Sequence, residues 1–159
     1  MTIFGISGSM ALMLVGFGLR DSIMDIARRQ YQELQHYTGT IIDDEDATDK
    51  ERQELDEFLK NDSQIERYTH VQFTKMSVPR NKSNISVYVY VPENLETFNK
   101  DVTLQDRKTK EKYKLTEAGT VISEKTATLT GLKVGDTMTI TKDGKNYETK
   151  IAAVTENYM

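Results

Sequence analysis

The chain is constrained most by residues 3–19, IFGISGSMALMLVGFGL, which carry no charged side chain and run straight into Arg20-Asp21. Seventeen residues in a helix rise about 25 Å, against a hydrocarbon core of roughly 30 Å. Three structures take such a run. A secretory signal needs a basic leading region and a small-residue cleavage site; here Phe17 and Leu19 lead directly into charge. A buried core helix needs a polar face, and only Thr2, Ser7 and Ser9 are on offer. A membrane helix needs neither. Residues 1–19 are therefore expected to form the outer part of a transmembrane helix, its other end lying before Met1. The lipid bilayer would be its partner, met by Ile3, Phe4, Leu12, Leu14, Phe17 and Leu19. Residues after about 20 would be extracytoplasmic, on a protein of the cell membrane. Gly5 and Ser9 stand four apart, the spacing that lets a second helix approach closely, although glycine is also simply common in membrane helices.

The helix is expected to continue as a stem. Residues 20–36, RDSIMDIARRQYQELQH, contain no Gly or Pro. Ile23, Ala27, Tyr31 and Leu34 recur at helical spacing, and Asp25 and Arg29 stand at a favourable i, i+4 pair. The domains are then 1–19 (membrane), 20–37 (stem) and 38–159, an extracytoplasmic α+β domain divisible into lobes at 38–100 and 101–159.

Within that domain, residues 38–42 (TGTII) read as a first strand. Thr48 with Glu51 forms a capping box that opens a helix over 49–60, with Leu55, Phe58 and Leu59 as its buried stripe. Residues 68–77, with Val71, Phe73 and Lys75 on one face, and 84–91, NISVYVYV, predict a hairpin. The valines of 84–91 share one face, and Tyr88 and Tyr90 take the other, which could bind a partner but packs more simply under a helix. Residues 93–98 suggest a helical turn, and 103–106 with 112–115 a small hairpin. Val121-Ile122 is a short strand. Ser123 caps a helix through Thr130, and Gly131 closes it in the left-handed region. A hairpin of 137–141 and 146–155 turns at Asp143-Gly144. The predicted class is α+β: a long transmembrane and stem helix, then antiparallel hairpins and short helices.

Composition narrows the chemistry. There is no cysteine, which excludes disulfides, thiolate metal sites and cysteine nucleophiles. Residues 43–66 hold eleven acids and three bases, a local net of −8; residues 67–150 hold fifteen bases and ten acids, a net of +5. The bases are interspersed with acids, so no nucleic-acid stripe forms. His36 and His70 lack a second histidine at ligand spacing. The run Asp43-Asp44-Glu45-Asp46 lacks the spaced ligands of a calcium loop and suits the entry to the helix that follows. Ser123 and Lys125 do not face each other on a helix, so capping is preferred to a nucleophile pair. Asn81-Lys-Ser83 and Asn84-Ile-Ser86 match the glycosylation pattern. No catalytic constellation, metal site or cofactor site is found, and no enzyme activity is expected.

The order of these elements resembles a family. Gly16–Ile23 (GFGLRDSI), a long polar domain, Val121–Ile140 (VISEKTATLTGLKVGDTMTI) and Ile151–Met159 (IAAVTENYM) are similar to the extracytoplasmic, MacB-like core domain of FtsX-like ABC transporter permeases. Ser123, Glu124, Ala127, Leu132, Gly135 and Asp136 occupy its pattern, with Thr130-Gly131 where the family often has Leu-Gly. The resemblance implies a structural, non-catalytic role for these residues. It also implies a cytoplasmic ABC ATPase subunit as partner and a second permease copy or half. The domain would couple ATP-driven motion to substrate export or mechanotransmission through the stem. A membrane-anchored binding or sensor module without a pump is the alternative. A soluble α+β enzyme with residues 3–19 as its core helix is a third reading, and it lacks an acid/base pair.

Overall fold

The protein is seen in a computed structural model that describes residues 2–44, 46–80 and 83–158, with the side chains of Thr2 and Ile3 outside the description. Ile3 as a lipid-facing side chain, Glu45 of the acidic run, Asn81-Lys82 of the first glycosylation pattern and Met159 thus lie outside the described residues.

The elements run α1 (Thr2–Arg28), a π-helical turn (Arg29–Leu34), α2 (Asp49–Asn61), β1 (Val71–Val78), β2 (Ile85–Pro92), α3 (Leu95–Asp101), β3 (Leu104–Gln105), β4 (Lys112–Tyr113), β5 (Thr120–Ser123), α4 (Glu124–Thr130), β6 (Thr137–Lys142) and β7 (Lys145–Thr155). The class is α+β with a long N-terminal helix. Five strands form one sheet in the order β2-β1-β6-β7-β5, antiparallel except where β5 runs parallel to β7. The sheet thus draws strands from both sides of residue 100. β3 and β4 make a separate two-stranded ribbon.

The core is small. Val78, Ile122, Met138, Ile140 and Ile151 are buried together, and Met76, Ile85, Val87, Val89, Ala127, Leu132 and Val154 pack around them. β2 brings Ile85, Val87 and Val89 to this face by strict alternation, and α4 covers it with Ala127. Asp143 and Gly144 both take positive φ, 49° and 75°, as a two-residue turn between β6 and β7 requires.

Four local expectations are corrected. Residues 38–42 form no strand among the described residues, and Ile42 is 88% exposed; an extended segment needs a ladder partner, and none reaches it. Strand β1 presents the opposite face. The register pairs Thr74 with Val89 and Met76 with Val87, so Phe73 and Lys75 turn outward beside Tyr90 and Tyr88. The valines of β2 outweigh the lone Phe73 and fix which face is inner. Among the described residues no helix covers the tyrosine face: Tyr88 and Tyr90 are each 60% exposed. Finally, α2 buries no residue, and Phe58 lies exposed. Its capping box is present as expected, Glu51 N–H donating to Thr48 Oγ1 and Thr48 N–H to Glu51.

Every described apolar side chain of α1 is exposed, from Phe4 at 86% to Ile26 at 44%. Among the described residues no helix is long and apolar enough to cross a membrane. The uncharged stretch Phe4–Leu19 rises about 24 Å. Phe4, Leu12, Leu14, Phe17 and Leu19, expected to face lipid, are each at least 60% exposed.

Candidate functional site

The feature that sets this fold apart is the joint between α1 and the body. The sequence predicts one α-helix to His36. Instead α-helical bonding stops at Arg28, and a wider turn follows in which the Gln35 N–H donates to the Gln30 carbonyl at 3.0 Å, five residues back. The wider turn brings Gln30 and Leu34 inward, and both are buried. Ile23 and Tyr31, expected on the packed stripe, are exposed.

From the turn outward the joint is built by hydrogen bonds. The Tyr158 N–H donates to Gln30 Oε1 at 3.0 Å. The Thr103 N–H donates to the Leu34 carbonyl at 2.7 Å, and the His36 N–H to the Asp101 carbonyl at 2.8 Å. Gln35 pairs with Val102 as an isolated bridge. Asp101 is buried and accepts from Arg67 Nε at 2.6 Å. The body therefore grips α1 from two sides, by α3 with the start of β3 and by the chain just past β7.

Behind Tyr158 lies a buried carboxylate. Glu156 is 3% exposed. It accepts from Lys110 Nζ at 2.8 Å, from Gln105 Nε2, and from the Tyr158 hydroxyl at 2.9 Å. Burial pushes its carboxyl up, but the bonds from Lys110, Gln105 and Tyr158 outweigh that and hold it below the ordinary glutamate value. Burial, then the hydrogen bond to Glu156, pushes the Tyr158 phenol up. The backbone of Gln105 is stitched to the same strand end: its N–H donates to Thr155 Oγ1 at 3.0 Å, and its carbonyl accepts from the Glu156 N–H at 2.9 Å. Arg107 lies over the Tyr158 ring, 5.0 Å from its centroid, and pairs with Glu124 at 2.8 Å. A continuous polar path thus joins the first residue of α4 to the base of α1. Gln35 Oε1 is buried at this joint with no hydrogen-bond partner among the described residues.

The motif residues read from the sequence fall into structural positions. Ser123 caps α4, its hydroxyl accepting from the Thr126 N–H at 3.2 Å. Ala127 and Leu132 pack on the core. Gly131 has φ 76°, where a side chain is strained. Gly135 has φ 93° and donates its N–H to the Ile151 carbonyl. Asp136 accepts from the Lys133 N–H through Oδ2 at 2.8 Å, while its carbonyl accepts from Ile151. Of these residues only Glu124 reaches the joint, through Arg107. Sequence reasoning passed over Gln30, Gln105, Lys110 and Glu156. The one signal available was a lone acid, Glu156, following the apolar end of the last strand.

His70 Nε2 lies 3.0 Å from Asp56, and His36 Nε2 lies 2.9 Å from Thr103 Oγ1. Asp43 pairs with Arg52 at 2.7 Å, tying the acidic run to α2. Among the described residues no cluster of acids and histidines could hold a metal ion. Comparison with family models, curated proteins and solved structures finds no match for this chain.

Proposed function

We propose that this chain is an extracytoplasmic domain with an N-terminal helix that meets the membrane, from a permease subunit of the FtsX-like ABC class. In this reading it carries no chemistry of its own. It links motion of membrane helices, driven by a partner ATPase on the cytoplasmic side, to an export or mechanotransmission step outside the membrane, in company with a second permease copy or half. The observation that carries the reading is the contrast along α1. Its apolar side chains are uncovered on every side, which water does not tolerate and lipid does. Its base is held by a buried polar joint that also grips the chain after β7. A helix under load needs such an attachment, since displacement is lost in a loose one.

Two measurements test it. The chain is expected to partition into liposomes or detergent micelles, while a form lacking residues 1–19 stays monodisperse in buffer; a full chain that is monodisperse without detergent removes the membrane reading. In the full-length protein, a flexible Gly-Ser insertion after Arg29 is expected to abolish transport while leaving the body folded. Undiminished transport would sink the coupling role.

The exposed aromatic face of β1 and β2 favours a second reading, a membrane-anchored binding or sensor module. It is distinguished by its indifference to the Arg29 insertion.

A further inference from the structure

The two edges of the five-stranded sheet are unlike. At one edge β5 has four residues and a register shift between Thr120 and Val121. Short length and irregularity are the usual protections of an edge strand. At the other edge β2 has eight residues, regular pairing with β1 over its whole length, and no bulge. Residues 84–92, NISVYVYVP, contain no charge, and Pro92 blocks only the end. Among the described residues no backbone hydrogen bond joins β2 to any strand but β1. Beside this open edge lies an aromatic platform: Phe73 stacks on Tyr88 at 5.0 Å with 12° between the rings and meets Tyr90 at 4.8 Å. All three rings are more than half exposed.

We propose that the outer edge of β2 pairs antiparallel with β2 of a second copy of this chain. The choice of occupant rests on symmetry and charge. Two antiparallel copies of one strand are related by a two-fold axis, so one edge satisfies both halves of the interface. Residues 84–92 are uncharged, so no like charges meet across that axis, and nothing in the strand selects a charged peptide in preference to itself. Pairing would continue the sheet across the two copies, satisfy the free amides and carbonyls of both strands, and bring the two aromatic platforms side by side. The inference is independent of the membrane reading.

The absence of native cysteine makes the test clean. In the full chain in detergent, a single cysteine at Ser86, Tyr88 or Tyr90 can bridge only to another copy. One or two of S86C, Y88C and Y90C are expected to cross-link at least about tenfold faster than D143C in the far turn. Y88K and Y88E, each checked for unchanged circular dichroism, are expected to weaken self-association about tenfold, and an equimolar mixture of the two to restore it. Cross-linking no faster than at residue 143 overturns the proposal. So does association unaffected by Y88K and Y88E, which would place the contact elsewhere, on α1 for instance.

Discussion

At the scale of single residues the joint depends on one carboxylate. Glu156 is charged although buried, because three donors converge on it. A folded-state value below the ordinary one means its contribution is complete above the unfolded-state value of about 4.3 and is lost as pH falls through the folded-state value. The joint is therefore expected to weaken below about pH 4. E156Q should cost about 1–3 kcal/mol near neutrality, since Lys110 and the Tyr158 hydroxyl lose a charged acceptor. The stability gap between E156Q and the parent should narrow toward acid in urea melts. A gap that stays constant from pH 7 to pH 3 would show that Glu156 is not the titrating group. Asp25, Glu51, Glu96 and Asp106 are also held low by hydrogen bonds, so the parent's overall acid sensitivity exceeds this one contribution.

Gly119 is a second single-residue determinant. A Cβ there would stand 2.5 Å from the Lys150 carbonyl oxygen and 3.2 Å from Ala152 Cβ. G119A is expected to push β5 off β7 and cost about 1–3 kcal/mol, with the loss read as faster amide exchange in Thr120–Ser123. Unchanged exchange in that strand would refute the close approach.

At the scale of elements, those whose bonding is local were legible in the sequence. The capping box of α2, the Ser123 cap and left-handed Gly131 of α4, and the Asp143-Gly144 turn depend on neighbours within a few positions. Side-chain chemistry at those positions decides them. α2 has such a cap but little packing, so its stability is mostly local. T48A should cost about 1 kcal/mol and raise amide exchange across α2 while leaving β1 and β7 untouched. Spread of the change into the sheet would show packing that the exposed Phe58 does not suggest. The π turn was not legible. Residues 29–34 have ordinary helical composition, and the wider winding arises because Gln30 and Leu34 are drawn to partners more than 60 residues away in the chain, Tyr158 and Thr103.

At the scale of the whole molecule, one sheet binds residues 71–92 to residues 120–155 through the β1–β6 pairing. Slowly exchanging amides of β1 and β7 are accordingly expected to share one opening free energy in native-state hydrogen exchange, with α2 opening earlier. Clearly separate values for the two strands would mean that the sheet is divided at β1–β6.

The sequence by itself determined the caps and turns, the types of the elements from α2 onward, and the uncharged apolar run at the N-terminus. Each follows from local periodicity or from one side chain acting on its nearest backbone. The tertiary structure decided which face of β1 turns inward, that residues 38–42 stay unpaired, and that Tyr88 and Tyr90 stand open. It also decided that Gln30, Gln105, Lys110 and Glu156 meet at the base of α1. Those outcomes depend on competition between distant surfaces for one small core, and on buried polar groups finding partners across the chain. No local pattern encodes either.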